Sequence, residues 1–434
     1  MKIGIISLGC AKNLVDTENL LGILKLSNQE VVTSPEDAEA IIINTCGFIE
    51  SAKKEAIDTI LSIADLKQKN LKKLIVMGCL VQRYKDELAK EIPEVDRFIA
   101  IREYGNLGSI LSEVLGERIV NNYGKAPRVL SAKPWMAYLR IADGCDNRCS
   151  YCAIPIIRGP LHSFSQESLV EEAKKLVSEG VKELNLIAQD SSRYGEDWDH
   201  QLHLSALLKE LDQIEGIHWI RILYLYPDEI PDDLIDTIKN SQHILPYFDI
   251  PVQHGSDRML KVMHRRGSAE QILERTKAIR NSIENAVLRT TLIAGFPGET
   301  EEDHEKTLDM IRKVHWDHLG AFTYSKEEDT PSYELDDDVA EEEKNRRKNE
   351  IMMLQQSIVM KDRQKQIGKI DEVLIEGMDP LTGMYIGRSA MYAPDGVDGC
   401  VRLHSSESLS CGDFVRARYT KVSGQDMIGS QEDR

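Results

Sequence analysis

The chain reads as an α/β protein in three parts: an N-terminal domain with a parallel sheet, a partial (β/α)6 barrel, and a small β-barrel of the oligonucleotide-binding type. Three observations predict this. Short apolar runs alternate with helical patterns over residues 1–120, the same rhythm returns at larger scale from residue 131, and beyond Gly368 short strands are separated by turn residues. With 434 residues, 41% of them hydrophobic, the chain can fill several cores.

In the first part (1–120) the apolar runs are Ile3–Leu8, Ala40–Ile43 and Lys73–Met77, with helix-like stretches at Thr17–Leu26 and Ser51–Leu66 between them. That order predicts parallel strands joined by right-handed crossovers. Each run leads into a cysteine: Leu8-Gly9-Cys10, Asn44-Thr45-Cys46 and Met77-Gly78-Cys79. In an open parallel sheet the carboxyl ends of the strands share one edge, where ligands bind. Cys10, Cys46 and Cys79, each more than 30 residues from the next, should therefore converge. Gly9, Gly47 and Gly78 would let the backbone turn tightly there. One such cysteine reads as a small buried hydrophobe; three at equivalent strand ends read as a ligand set.

The second part, 131–365, offers strands at Ala137–Ile141, Glu183–Ile187, Trp219–Leu225, Tyr247–Ile250, Leu288–Ile293 and Leu319–Tyr324. Helices Glu167–Ser178, capped by Ser165, and Ala269–Ile283, capped by Ser268, fit between them. Six units without a clear seventh predict an incomplete barrel, with functional residues at the carboxyl ends of its strands. There the first strand is followed by Gly144-Cys145-Asp146-Asn147-Arg148-Cys149-Ser150-Tyr151-Cys152, a C-x3-C-x2-C run with no fourth cysteine after it. Thiolates suit iron–sulfur clusters or zinc. Three ligands on one loop would leave one iron of a [4Fe–4S] cluster open, whereas a closed ferredoxin-type cluster takes four cysteines. The alternative is a Cys3His zinc site completed by His162.

Asp336–Lys365 is strongly charged, acidic first and basic later, with Ile351, Leu354, Ile358 and Val359 as an apolar stripe. It predicts a long helix packed on the barrel, its charges mostly on a solvated face, ended by Gly368. In the third part, 366–434, strands are expected at Val373–Glu376, Met384–Arg388, Cys400–Leu403 and Phe414–Val422, with loops such as Pro394-Asp395-Gly396 between them. Packing accounts best for Cys400 and Cys411.

The cysteine loop resembles that of the radical S-adenosylmethionine (SAM) enzymes, and the three parts in order are similar to the methylthiotransferases over essentially the whole chain: an N-terminal cysteine domain, a radical SAM barrel and a TRAM domain. Ser7-Leu8-Gly9-Cys10-Ala11-Lys12-Asn13-Leu14-Val15-Asp16, the loop continued through Ala153-Ile154-Pro155, and Asp249-Ile250-Pro251-Val252-Gln253-His254-Gly255-Ser256-Asp257 resemble the RimO branch. The tRNA-modifying MiaB branch usually has glutamine and methionine where this chain has Ala11-Lys12. The resemblance implies that Cys145, Cys149 and Cys152 hold a [4Fe–4S] cluster whose open iron is chelated by the amino and carboxylate groups of SAM, yielding a 5′-deoxyadenosyl radical. Tyr151 matches the aromatic position that packs on the adenine. Cys10, Cys46 and Cys79 would bind an auxiliary [4Fe–4S] cluster carrying the sulfur. The implied reaction puts a methylthio group on the β-carbon of an aspartate in the twelfth small-subunit ribosomal protein, with an external electron donor and sulfur source. No nucleophile triad or paired carboxylates suggest another chemistry.

Strand-end position adds Gln189 and Asp190, Gln253 and His254, and Gly295 and Gly298 of Gly295-Phe296-Pro297-Gly298-Glu299 as SAM or substrate contacts. Asp190 could equally cap a helix, and Pro-Gly could be only a turn. Arg158, Arg221 and Tyr224 are weaker candidates. The formal net charge is −18, and residues 368–434 carry seven Lys and Arg against eleven Asp and Glu. Such a surface suits a basic ribosomal protein better than a phosphate backbone. The RNA reading needs Arg388, Arg416 and Arg418 on one face. The chain opens on Lys2-Ile3-Gly4-Ile5-Ile6 without a signal pattern, has no apolar run long enough to span a bilayer, and clusters three of its eight cysteines. A cytoplasmic protein is expected, with metal-binding cysteines rather than disulfides.

Overall fold

In the computed structural model, which describes residues 1–394, 396 and 398–432, the first hundred residues build a five-stranded parallel sheet. Strands β1 (Lys2–Ser7), β2 (Glu30–Val32), β3 (Ala40–Thr45), β4 (Lys73–Gly78) and β5 (Arg97–Ala100) lie in the order β2-β1-β3-β4-β5. The central strand β3 buries every residue, as a parallel strand covered on both faces must. One face packs on helices Ala11–Leu26 and Leu107–Leu115, the other on Glu50–Ala64 and Cys79–Glu91. The edge strands β2 and β5 were not expected. At three and four residues they are too short to show a period.

The middle of the chain forms a second, six-stranded parallel sheet. It contains β6 (Met136–Arg140), β9 (Glu183–Ile187), β10 (Trp219–Ile222), β11 (Ile244–Asp249), β12 (Val287–Ala294) and β13 (His318–Thr323), in the order β13-β12-β11-β10-β9-β6. β13 and β6 are not paired with each other, so the barrel stays incomplete, as six units predict. The ribbon of β7 (Ala142–Asp143) and β8 (His162–Ser163) closes the base of the cysteine loop. Ser165 and Ser268 cap their helices as expected, accepting from the backbone N–H of Ser168 and Gln271.

The long charged helix starts at Glu341 and ends at Gln364, later than the acidic run suggested. Its charges are less solvated than expected. Lys344 is buried and bonded to Asp337 and Glu341, both at 2.7 Å, and Arg347 reaches the carbonyl of Glu299 at 2.8 Å. The helix is a strap joined to the barrel by Arg347 as well as by its apolar stripe.

The C-terminal strands β14 (Ile370–Met378), β15 (Tyr385–Arg388), β16 (Val401–His404), β17 (Phe414–Ser423) and β18 (Asp426–Gln431) close into a barrel. β18 was not foreseen, and Asp395 of the expected turn lies outside the described residues. Cys411 is exposed, so packing does not explain it; Cys400 is half-buried. Among the described residues, no helix is long and apolar enough to cross a membrane.

This barrel docks on the amino ends of the second sheet through buried charges. Arg388 bonds Glu183, the first residue of β9, and meets Glu376 at 2.9 Å. Arg221 bonds Glu183 at 3.2 Å and the Ala390 carbonyl at 3.0 Å. His218 stacks on Phe414 with ring centroids 3.8 Å apart. Burial would raise the Glu183 carboxyl, but Arg388 and Arg221 outweigh it and hold it below the usual range. Its contribution is therefore present above the unfolded glutamate value of about 4.3 and lost as pH falls through the lower folded one. Arg388→Met is expected to cost about 3 kcal/mol of unfolding free energy at pH 7. Denaturant midpoints measured down the acid range should show the difference shrinking below about pH 4.

Candidate active site between two sheet edges

The carboxyl ends of both parallel sheets open on one cavity of about 360 Å³. All six predicted cysteines line it: Cys10, Cys46 and Cys79 from one sheet, Cys145, Cys149 and Cys152 from the other.

The early trio is arranged around Asn13. Its Nδ2 donates to the carbonyls of Leu8 at 3.1 Å and Thr45 at 2.9 Å, which fixes the amide. Its Oδ1 then faces Cys79 Sγ at 3.4 Å and Cys10 Sγ at 3.9 Å. Two glycines make the approach possible. Gly9 has φ +95°, and a Cβ on it would fall 2.8 Å from the Cβ of Cys46; Gly78 has φ +108°, and a Cβ there would fall 2.5 Å from Asn44 Oδ1. Cys10 precedes helix Ala11–Leu26 and Cys79 opens helix Cys79–Glu91, so both sit at helix N-termini facing the cavity.

The later trio rides the loop between β7 and β8. Cys145 donates its N–H to the Gly159 carbonyl at 3.1 Å, and Asn147 donates to Asp190 Oδ2 at 2.6 Å. Arg265 covers this end: it lies 3.7 Å from Cys149 Sγ, donates to the Pro251 carbonyl at 2.5 Å, and stacks 3.7 Å over the Tyr226 ring. Tyr151 meets Phe296 edge-on, centroids 6.4 Å apart.

Arg158, at the end of the short helix after this loop, ties the trios together. It donates to Asp16 at 2.7 Å, Asn13 Oδ1 at 3.2 Å and Asp143 at 3.2 Å, and stands 3.8 Å from Cys79 Sγ. Burial raises the Asp16 carboxyl, but Arg158 and Arg140 prevail and hold it below the usual range. Burial pushes the thiols of Cys79 and Cys152 up to about 12 and that of Cys145 up to about 11. A metal bound here must displace those protons.

The donor set fits clusters better than zinc. Among the described residues, no three His, Cys, Asp or Glu side chains stand close enough to share one metal ion. A zinc ion would need every ligand about 2.0–2.3 Å from one point. His162, the fourth ligand of the zinc alternative, is exposed on β8, edge-on to Phe164, and is outside the cavity lining. Each trio supplies three thiols to a hollow, which suits a polynuclear cluster with an open iron.

Of the other predicted residues, Tyr151, Gln189, Asp190 and Gln253 line the cavity. Asp190 also caps, accepting from Ser192 N–H at 3.1 Å. Gly295 and Gly298 do not line it. The Gly295 N–H bonds Glu299, and a Cβ there would meet Lys344 Cγ at 2.1 Å; the Gly298 N–H bonds Asp338 at 2.7 Å. His254 is buried against Thr307 at 3.1 Å, away from the hollow, and Arg221 serves the barrel interface. Sequence reasoning undervalued Arg158 and did not single out Asn13, Arg265 or Tyr226. Asn13 sits within the Cys10 motif, so a signal existed; Arg265 and Tyr226 had none. Tyr224 and Gln253 line the cavity with φ of +64° and +73°, backbone that non-glycine residues rarely adopt and that often marks function.

Residues 2–100 match Uncharacterized protein family UPF0004, 139–311 the Radical SAM superfamily and 367–431 the TRAM domain. Ribosomal protein uS12 methylthiotransferase RimO of Acetivibrio thermocellus is 45% identical over 443 residues, covering 99% of this chain and 98% of that protein. The RimO of Aquifex aeolicus is 46% identical over 430 residues, covering 99% and 97%. Among solved structures, the radical SAM methyltransferase TsrM of Kitasatospora setae aligns with TM-score 0.55 at 13% identity, covering 76% of each chain. The cobalamin-dependent radical SAM enzyme OxsB aligns with TM-score 0.51 at 12% identity, covering 89% of this chain and 64% of that one. These two show a shared fold.

Arg158→Met would leave buried Asp16 with Arg140 as its remaining cation. The expected cost is about 3 kcal/mol in denaturant unfolding, with Arg158→Lys recovering only part because an ammonium cannot span Asp16, Asn13 and Asp143 together.

Proposed function

This chain belongs to the RimO-type radical SAM methylthiotransferases, and from that premise we propose that it transfers a methylthio group to the β-carbon of an aspartate in ribosomal protein uS12. The observation that carries the reading is the convergence of two cysteine trios, from separate sheets, on one cavity. We assign Cys10, Cys46 and Cys79 to the auxiliary [4Fe–4S] cluster, Cys145, Cys149 and Cys152 to the radical SAM cluster, and Tyr151, Gln189, Asp190 and Gln253 to contacts with SAM. When bound, these groups supply the one-electron chemistry needed to break an unactivated C–H bond, and the sulfur that replaces the hydrogen.

The chain's own residues supply position and dryness. Arg158, Asp16 and Asn13 fix the separation of the trios. Arg265 sets a positive charge beside Cys149 and stacks on Tyr226, which fixes its place in that wall. We assign residues 1–120 to the auxiliary cluster, 131–365 to the radical SAM core and 366–434 to the TRAM barrel. Reducing surroundings, as in the cytoplasm, keep the thiols available, and a basic protein partner suits the acidic surface. An electron donor and a sulfur source come from outside the chain.

The tRNA reading finds less support. Arg388 is buried against Glu183, so it cannot join Arg416 and Arg418 on the exposed face of β17, and Arg418 there already pairs with Glu432 at 2.6 Å.

Anaerobic incubation of the reconstituted enzyme with SAM, reductant, and either ribosomes or tRNA should give a methylthio adduct on one aspartate of uS12 by mass spectrometry. An adduct confined to tRNA adenosine would overturn the protein substrate, and absence of 5′-deoxyadenosine throughout would overturn the enzyme. Replacing Cys10, Cys46 and Cys79 together by alanine should remove about half of the bound iron, leaving SAM cleavage but no transfer. The same change at Cys145, Cys149 and Cys152 should abolish SAM cleavage.

A further inference from the structure

Two cations of the cavity lining, Lys12 and Arg265, make no ion pair with a carboxylate among the described residues, and only Arg265 is held by a backbone carbonyl. Lys12 lines the cavity and is only 8% exposed. Its Nζ sits 3.5 Å above the centroid of the Tyr224 ring. Among the described residues it makes no ion pair, although Cys10, Asp143 and Asp249 act on it electrostatically. Arg158 has Asp16 and Asp143; Arg289 has Asp249 at 3.0 Å and Asp398 at 3.1 Å; Arg265 has the Pro251 carbonyl and Cys149. A ring face offsets part of an ammonium's desolvation, and a carboxylate beside it would offset more. The position is built for this. Tyr224 is held in left-handed backbone, its N–H bonded to Asp249 at 3.0 Å, so that its ring lies under the lysine.

We propose that Lys12 anchors the side-chain carboxylate of the target aspartate. The inference rests on the aspartate-modifying function proposed above and names the residue that would recognise it. In aspartate the β-carbon is bonded directly to the carboxyl carbon, so fixing the carboxylate fixes the reacting carbon one bond away. Lys12 lies two residues after Cys10 on the first turn of helix Ala11–Leu26, the side of the hollow from which sulfur would be delivered. The carboxylate of SAM is the other candidate. It belongs instead with the open iron at the Cys145–Cys152 loop, where Arg265 rather than Lys12 lies beside a thiol.

The test uses reconstituted full-length enzyme with SAM but no reductant, so that nothing turns over. Binding is measured to purified uS12 carrying either aspartate or asparagine at the modified position. The unaltered enzyme should prefer the aspartate form by about 10- to 100-fold. Lys12→Met should bring the aspartate form down to the asparagine level without changing affinity for the latter, and Lys12→Arg should restore part of the preference. Iron per chain and SAM affinity should stay unchanged in both variants. The proposal is overturned if Lys12→Met retains the preference. It is equally overturned if that variant loses SAM affinity or auxiliary-cluster iron while still discriminating aspartate from asparagine. Failure of the unaltered enzyme to modify uS12 would instead bring down the function on which the anchor rests, a result read separately in the turnover assay.

Discussion

Buried charge contacts centred on Asp16, chiefly its ion pair with Arg158, hold the relation between the two sheets on which the site depends. Each sheet can orient its own cysteines by strand and loop geometry alone, but neither can fix its distance from the other. Arg158 leaves the radical SAM loop and enters the N-terminal unit, where Asp16 also receives Arg140 at 2.6 Å and the Tyr123 hydroxyl at 2.8 Å. Burying these charges gains little net stability, because desolvation cancels much of the attraction. It does penalise every arrangement in which they part. A second clamp repeats the logic near the mouth, where buried Glu327, after β13, takes Lys53 at 3.1 Å and Arg83 at 3.3 Å from the N-terminal unit. Apolar faces could slide against each other; directional ion pairs hold register.

The C-terminal barrel has a role in this geometry that its fold alone does not announce. An open six-stranded sheet leaves the lower end of its hollow exposed, and the barrel fills it. Asp398 enters from below to bond Tyr247 and Arg289, with His318 at 3.8 Å. Arg289 continues upward to Asp249, which holds the backbone of Tyr224 beneath Lys12. A chain of charged contacts thus runs from the small barrel to the cavity wall. Arg388, which looked from the sequence like an RNA-binding cation, is spent on Glu183 at the same junction.

What the sequence made legible follows from where the information sits. The strands ending at Cys10, Cys46 and Cys79 could be read because apolar runs and strand-end cysteines are local patterns, and parallel topology then forces convergence. The C-x3-C-x2-C loop is more local still. The roles of Arg158, Arg265 and Lys12 could not be read the same way, since each depends on a partner far along the chain: Asp16 lies 142 residues before Arg158. Gly295 and Gly298 show the converse error. Strand-end position suggested ligand contact, yet Lys344 of the strap helix takes the space at Gly295, and the Gly298 N–H is used by Asp338. Position at a strand end is not sufficient for lining the hollow, and Arg158 and Arg265 line it without that position.

Surface and cavity electrostatics suit different stages of recognition. A formal charge of −18 attracts a basic protein at long range and repels phosphate backbones, which biases encounter without choosing a residue. Inside, Arg158 and Arg289 are already paired with carboxylates, and Asp190 and Asp249 share the lining, so the hollow as a whole is not a positive field. The local exceptions are Lys12 and Arg265, which have no carboxylate partner among the described residues. A carboxylate entering beside Lys12 would gain a partner, whereas a lysine or arginine side chain would not. Attraction at the surface brings the partner in, and a few positions inside choose among its side chains.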